Sequence, residues 1–128
     1  MICAVVGDSI AEAVQSYFPE CTHNTKIGIS SAAVVSRTPS GKDVVIISAG
    51  SNDPKNPSLL AHLREIQKRA GHVIWILPIN PTARKAVEQV AAENQEPTVG
   101  FTPAKDHVHP RNNRVVAVAI RKVPPRGG

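Results

Sequence analysis

Two continuous apolar runs constrain the fold of this chain more than any other feature of its sequence. They are "DVVIISA" (43–49) and "VIWILP" (73–78). Neither run alternates between apolar and polar residues, which is typical of strands buried on both faces, and therefore of a parallel sheet covered by helices. Three further runs are shorter or weaker and complete a predicted set of five strands: "ICAVV" (2–6), "TKIGI" (25–29) and "TVGF" (98–101).

Helical patterns separate these predicted strands. The clearest covers residues 57–70, where Asn56 can cap the helix and Pro57 can occupy its first position. A second helix is predicted over residues 82–94, with Thr82 as its cap. The succession of strand, helix, strand and helix predicts βαβ units, and so an α/β fold with helices on both faces of a parallel sheet.

The C-terminal segment "RNNRVVAVAIRKV" (111–123) allows two interpretations. Its β-branched residues favour a strand, whereas its position after the final loop favours a closing helix. The length fits one domain with one core, which we place at residues 1–123. The last residues, 124–128, are expected to form a flexible tail.

Charge and composition limit the partners. The net charge of +5 suits an anionic partner, but aromatic residues make up only 3% of the chain, which is a poor stacking platform for nucleic acid. No apolar run approaches the roughly 20 residues of a membrane span, and no secretory signal is visible. We therefore expect no nucleic-acid or membrane partner and a cytoplasmic location. The sequence does not indicate an oligomeric state.

The two cysteines, Cys3 and Cys21, do not form the pattern of a disulfide framework. Cys3 lies within an apolar run, where a small core side chain is expected. A disulfide is not predicted, which agrees with a reducing compartment.

Small and polar residues end three of the predicted strands, and a fourth such segment comes in the loop after the last predicted strand. These are "GDS" (7–9), "GIS" (28–30), "AGSND" (49–53) and "DHVHP" (106–110). In an open parallel sheet, the carboxyl ends of the strands lie along one edge, where binding and catalytic sites form. The sequence therefore predicts that these four segments meet at one site.

The residue types at this edge suit acyl transfer. That chemistry needs a nucleophile, a base, a group that orients the base, and donors for the developing oxyanion. Ser9 can be the nucleophile, His109 the base and Asp106 the orienting acid. The backbone N–H groups of Ser9 and Gly28, together with the side-chain amide of Asn52, can form the oxyanion hole.

Each of these residues also has a structural interpretation. Ser9 or Asp8 can cap a helix that starts near Ile10. Asn52 and Asp53 can form an ordinary turn, in which Asp53 holds the loop through side-chain-to-backbone hydrogen bonds.

A metal site is the other chemical interpretation of the last segment. Alternate histidines face the same way on an extended chain, so Asp106, His107 and His109 could ligate a metal. A more distant ligand would be needed, and the available histidines are His23, His62 and His72. Nothing in the sequence places one of them nearby, so no metal is predicted.

Together, "GDSIA", "GIS", "GSND" and "DHVHP" resemble blocks I, II, III and V of the SGNH hydrolases, also called GDSL esterases/lipases. The blocks span residues 7–110, which is most of the chain. The resemblance implies a flavodoxin-like, three-layer α/β/α sandwich with a five-stranded parallel sheet. It also implies Ser9 as nucleophile, Asp106 and His109 as the other triad members, and no cofactor.

The same resemblance implies Ser9, Gly28 and Asn52 as the oxyanion donors. A shift of one turn would put Ser31 in place of Gly28. The chain is short for this family, which implies a shallow site or one that a partner subunit completes. The family also occurs as small proteins of bacteria and phages.

The function expected from this resemblance is that of a serine esterase. With few aromatic residues to line a long groove, its substrates are expected to be short-chain esters, such as acetyl groups on a small molecule or carbohydrate. The alternative is a catalytically idle SGNH-fold module that binds or has a structural role, for example in a phage particle.

Overall fold

A computed structural model describes residues 2–123, which form one parallel five-stranded sheet between two layers of helices. The strands are β1 (Cys3–Gly7), β2 (Thr22–Thr25), β3 (Val44–Ser48), β4 (Val73–Ile76) and β5 (Thr98–Val99). Their order is β2-β1-β3-β4-β5, and every neighbouring pair is parallel. This is the flavodoxin-like doubly wound order. The predicted tail, residues 124–128, lies outside the described residues.

Within residues 2–123, five α-helices cover the sheet. They are α1 (Ser9–Val14), α2 (Ser31–Arg37), α3 (Leu59–Ala70), α4 (Pro81–Glu93) and α5 (Asn113–Arg121), and a short 3₁₀ turn (Gln15–Tyr17) follows α1. Helices α2, α3 and α4 share one apolar core with one face of the sheet, and α1 and α5 share a second core with the other face. Of the helices within residues 2–123, none has both the length and the apolar character needed to cross a membrane.

The central strands have the double burial that their continuous apolar runs predict. In β3, Val45 and Ile47 face one core while Ile46 faces the other. In β4, the fully buried Trp75 faces the first core and Ile76 the second. Apolar side chains are required on both faces of these strands because helices cover the sheet on both sides.

The second strand does not lie where the sequence predicts it. It covers Thr22–Thr25 instead of 25–29, and Ile27 is 70% exposed in the loop that follows. Because β2 is an edge strand with only β1 beside it, its side chains are mostly exposed and polar. Such a strand is held by backbone pairing, which leaves no apolar run to detect.

The helix starts also differ from the prediction. Helix α3 begins at Leu59, so Pro57 precedes the helix instead of opening it. Helix α4 begins at Pro81 and is capped by Asn80, whose side chain accepts from two backbone N–H groups, and not by Thr82. The C-terminal segment is helical, because one apolar stripe of α5 packs on the second core.

The prediction that the cysteines are unpaired is wrong. Cys3 and Cys21 form a disulfide, with their Cα atoms 4.7 Å apart. The bond ties the start of β1 to the residue that precedes β2, and both cysteines are buried in the second core. The sequence spacing does not reveal this proximity, which the pairing of β1 with β2 creates. The bond corrects the pairing of the cysteines, while the location of the protein stays a prediction.

The disulfide is expected to stabilise the domain substantially. It closes a loop with a sequence separation of 18 residues, for which restriction of the unfolded chain predicts about 3 kcal/mol. The double variant Cys3→Ala/Cys21→Ala should lose that amount in urea unfolding followed by the fluorescence of the single tryptophan, Trp75. The wild type in dithiothreitol should match it. Coincident unfolding curves for oxidised and reduced protein would contradict this prediction.

Candidate active site

The turn from β1 into α1 explains why glycine and aspartate precede Ser9. Gly7 has φ +144°, and a Cβ atom there would lie 2.1 Å from the carbonyl oxygen of Ser48 on β3. Asp8 is fully buried and caps α1, since its Oδ1 accepts from the N–H of Ile10. The hydroxyl groups of Ser48 and Ser51 also donate to this carboxylate, each at 2.8 Å. Burial raises the pKa of Asp8, and these hydrogen bonds partly offset that effect.

Asp8, and not Ser9, therefore caps the helix. Ser9 is the first residue of α1, and its hydroxyl oxygen lies 2.7 Å from Nε2 of His109. The two residues are 100 positions apart in the sequence and meet because both follow strands at the carboxyl edge of the sheet. The first N–H groups of a helix have no partner within it, so the backbone N–H of Ser9 is not used by the hydrogen bonds inside α1.

A tight loop after β5 presents the imidazole. Antiparallel backbone contacts close it at Pro103 and Pro110, and the N–H of Ala104 donates to the carbonyl of His109 at 2.8 Å. Inside the loop, Asp106 Oδ1 accepts from the backbone N–H of His109, and Asp106 Oδ2 lies 2.6 Å from His109 Nδ1. The Asp106 carboxylate thus fixes the position of the His109 backbone and the orientation of its ring.

The electrostatics of the loop keep Asp106 ionised. The hydrogen bond from the His109 ring, with those from the backbone N–H groups of His109 and Val108, holds the pKa of Asp106 well below its usual range. An ionised carboxylate only accepts hydrogen bonds, so His109 carries its hydrogen on Nδ1. Nε2 is then the nitrogen that can accept the hydroxyl hydrogen of Ser9.

The loops after β2 and β3 contact each other, and the first of them also contacts Gly7, two residues before Ser9. The backbone N–H of Lys26, at the start of the first loop, donates to the carbonyl of Gly7 at 3.0 Å. In the second loop, Asn52 Nδ2 donates to the carbonyl of Ile29 at 2.9 Å, which leaves the other hydrogen of this amide for a further acceptor. Gly28 lies in the exposed turn between β2 and α2, with φ +82°.

Of the two alternatives for the remaining oxyanion donor, the Ser31 backbone is already engaged. Its N–H donates to Asp53 Oδ1 at 3.0 Å. That hydrogen bond is also the side-chain-to-backbone contact expected of Asp53. Gly28 therefore remains as the candidate for a backbone donor from this loop.

One polar cluster next to this edge was not predicted from the sequence. Ser31 is fully buried, and its Oγ lies 2.6 Å from Asp53 Oδ2 and 2.8 Å from Nδ1 of His62 on α3. Asn56 Nδ2 also donates to Asp53 Oδ2, at 3.0 Å. The clue present in the sequence was the pair "ND" at 52–53, but nothing local connects Asp53 to a histidine nine positions later on another element.

The alternative of a metal site finds no support in the side-chain positions. Within residues 2–123, no three histidine, cysteine, aspartate or glutamate side chains are grouped so that they could hold a metal ion. The two ring nitrogens of His109 face Ser9 and Asp106. Nδ1 of His62 faces Ser31, and Nε2 of His23 is 2.8 Å from the carbonyl of Phe18.

An apolar cleft of about 470 Å³ lies at the opposite, amino edge of the sheet. It is lined by strand starts, the disulfide and α5, and includes Cys3, Phe18, Val44, Val73 and Ile120. A second cleft, of about 450 Å³, lies at the carboxyl edge, where the loop after β3 and the start of α3 meet α4. We place the site by its chemistry, because the paired serine and histidine lie at the carboxyl edge. The side chains of His109 and Asp106 are 39% and 51% exposed, so the candidate site is open to solvent.

No known protein-family model matches this sequence, and no curated protein matches it either. Among solved structures, the chain is similar to the C-terminal catalytic domain of peptidoglycan O-acetyltransferase A from Streptococcus pneumoniae, which was solved with a methylsulfonyl adduct. The TM-score is 0.59 and the sequence identity is 17%, over 94% of this chain and 89% of that one. This likeness confirms the predicted fold class, an α/β fold with a five-stranded parallel sheet between layers of helices.

Proposed function

We propose that this protein is an SGNH-type serine hydrolase that transfers a short acyl group from an ester through an acyl-enzyme on Ser9. The observation that carries the proposal is the chain of two contacts, 2.7 Å from Ser9 Oγ to His109 Nε2 and 2.6 Å from His109 Nδ1 to Asp106 Oδ2. The order of hydroxyl, imidazole and carboxylate is that of a serine hydrolase triad.

In this mechanism Ser9 Oγ attacks the acyl carbonyl while His109 Nε2 takes its proton. The imidazolium is stabilised by the ionised Asp106, and the oxyanion accepts hydrogen bonds from the N–H groups of Ser9 and Gly28 and from the Asn52 amide. Collapse of the tetrahedral intermediate releases the alcohol, which receives the proton from His109. Water then attacks the acyl-enzyme with His109 again as base, and the carboxylic acid leaves.

The proposed substrate is a short-chain ester, such as an acetyl group on a carbohydrate hydroxyl. The side chains of His109 and Asp106 are open to solvent, which suits a short acyl group, and the apolar cleft of about 470 Å³ lies at the other edge of the sheet. The similar solved domain belongs to an O-acetyltransferase, which supports acetyl as the acyl group. No metal or organic cofactor takes part in the proposed reaction.

Active-site labelling tests the proposal directly. The folded wild type should react with a fluorophosphonate probe, and peptide mass mapping should place the adduct on Ser9. It should also hydrolyse 4-nitrophenyl acetate faster than the 4-nitrophenyl ester of a long-chain acid. Urea-unfolded protein is the control and should not be labelled. If the folded protein is neither labelled nor active on several short esters, the alternative of an idle SGNH-fold binding or structural module replaces the esterase.

The acyl acceptor is a separate question, because the similar solved domain is a transferase. Hydrolysis and transfer share the acyl-enzyme and differ only in which hydroxyl attacks it. Adding a chitooligosaccharide to the 4-nitrophenyl acetate reaction separates them. An esterase releases one acetate for each nitrophenolate, whereas a transferase releases less acetate and forms an acetylated sugar that mass spectrometry detects.

Replacing Asn52 with alanine tests the proposed oxyanion donor. Loss of one such donor typically lowers kcat by 10²–10³-fold, because the donor acts on charge that develops only in the transition state. We expect kcat for 4-nitrophenyl acetate to fall by about that factor with little change in KM. Gln89→Ala, which removes an exposed amide on α4, is the matched control and should retain full activity. A raised KM with unchanged kcat would assign Asn52 to ground-state binding instead.

A further inference from the structure

A second serine, aspartate and histidine lie together outside the proposed triad, and their arrangement differs from that of the triad. Here the hydroxyl stands between the other two groups: Ser31 Oγ is 2.6 Å from Asp53 Oδ2 and 2.8 Å from His62 Nδ1. The three residues come from three elements, namely the start of α2, the loop after β3 and helix α3. We call this group the Ser31 cluster.

The hydrogens that each group carries determine which group donates in each hydrogen bond of the cluster. Burial tends to raise the pKa of Asp53, but hydrogen bonds from Ser31 and Asn56 outweigh it, and the pKa lies below its usual value. The ionised carboxylate can only accept, so the single hydroxyl hydrogen of Ser31 goes to Asp53. The Ser31 oxygen must then accept from His62, which carries a hydrogen on Nδ1.

This direction excludes Ser31 as a second nucleophile. The hydroxyl of Ser31 donates its hydrogen bond to the Asp53 carboxylate. Nδ1 of His62 carries a hydrogen, so this nitrogen cannot act as a base toward Ser31. The side chain of Ser31 is also fully buried and cannot meet a substrate. The cluster needs another explanation, since the buried Ser31 hydroxyl is satisfied by two partly buried side chains from two other elements.

The position of the cluster in the sequence provides that explanation. Asp53 follows Asn52, and Ser31 lies two residues after Ile29, whose carbonyl accepts from the Asn52 amide. Between Ser48 and Leu59 the chain has no helix or strand, and the backbone hydrogen bonds of this loop, from Asn56 to Asp53 and from Leu59 to Asn56, begin only after Asn52. Side-chain contacts therefore contribute to the order of the part that carries Asn52. Stabilisation of an oxyanion requires donors that are held in place before the reaction.

We propose that the Ser31 cluster holds Asn52 at its donor position, and that Ser31, Asp53 and His62 are positioning residues for the oxyanion hole. The inference rests on the proposed function. In this proposal, the hydrogen bond from His62 orders a loop of the site. The helix that carries His62, α3, contributes no group that reacts with the substrate.

A double-mutant cycle on kcat tests this role. His62→Leu removes the donor to Ser31, and we expect kcat for 4-nitrophenyl acetate to fall about 10-fold at nearly constant KM, because misplaced groups lose transition-state stabilisation. His62→Asn should recover most of that loss, since its amide can donate from near the place of Nδ1. In the Asn52→Ala background, His62→Leu should lower kcat less than 2-fold, because the group it positions is absent.

Ser31→Ala repeats the test from the centre of the cluster, with Ser36→Ala on the exposed face of α2 as the matched control. If Ser31→Ala does not fold, the His62 variants still decide the question, because His62 is only partly buried. A 10-fold loss that is equally large with and without Asn52 would overturn the proposal and leave the cluster as a general support of the fold.

A second measurement does not depend on turnover. The side-chain amide of Asn52, assigned by its loss in Asn52→Ala, should give two sharp NMR signals in the wild type and broadened or shifted signals in His62→Leu. Unchanged signals would overturn the positioning role even if the enzyme is active. An inactive wild type with the expected NMR change would instead contradict the proposed esterase and keep the cluster as the group that orders this loop.

Discussion

Ser9→Ala should lower kcat for 4-nitrophenyl acetate by roughly 10⁴–10⁶-fold, which is the loss typical of removing the nucleophile of a serine hydrolase. The variant has no hydroxyl to attack the carbonyl, and His109 has no proton to accept. Labelling by the fluorophosphonate probe should disappear as well. Rates are best measured as single turnovers at high protein concentration, so that a residual rate is separated from the uncatalysed reaction.

The same variant should fold as well as the wild type. The Ser9 hydroxyl contacts the His109 ring, whereas the capping of α1 depends on Asp8. We expect the free energy of unfolding to change by less than about 0.5 kcal/mol. Ser36→Ala serves as the control for the loss of an exposed hydroxyl and should keep full activity. Ester hydrolysis that persists in Ser9→Ala at the wild-type rate would end the assignment of Ser9 as nucleophile.

Gly7→Ala should cost at least about 4 kcal/mol of folding free energy, which is a large fraction of the roughly 5–15 kcal/mol by which ordinary domains are stable. Two effects combine at this position. The backbone has φ +144°, which L side chains rarely adopt, and the added Cβ would lie 2.1 Å from the Ser48 carbonyl oxygen. Since that oxygen belongs to the neighbouring strand β3, relief requires separation of two central strands.

A second glycine separates these two effects. Gly71, after the end of α3, also has a positive φ, +81°, but a Cβ there would meet nothing within 4 Å. Gly71→Ala should therefore cost only the backbone strain, about 1–2 kcal/mol. Urea unfolding followed by Trp75 fluorescence measures both variants. Equal losses for Gly7→Ala and Gly71→Ala would show that the close approach of β1 and β3 does not determine the choice of glycine at position 7.

The residues of the candidate site were predictable to different extents. Ser9 and His109 could be placed at one edge from strand order alone, because consecutive strands in a parallel α/β sheet end on the same side. The distance of 2.7 Å between Ser9 Oγ and His109 Nε2 could not be predicted, since it depends on how the loop after β5 folds back between Pro103 and Pro110. The role of Asp8 as the cap of α1 was one of two local alternatives, and the buried contacts with Ser48 and Ser51 decided it.

The fold class could be predicted from local sequence, because a strand covered by helices on both faces must be apolar along its whole length, and β3 and β4 carry that pattern within a few consecutive residues. The place of β2, the helical state of residues 113–121, the Cys3–Cys21 bond and the Ser31 cluster could be known only from the folded chain. Each of these depends on contacts between residues that lie far apart in the sequence. An exposed edge strand is held by backbone hydrogen bonds that any residue can make, and a disulfide or a buried polar cluster forms where packing brings its members together.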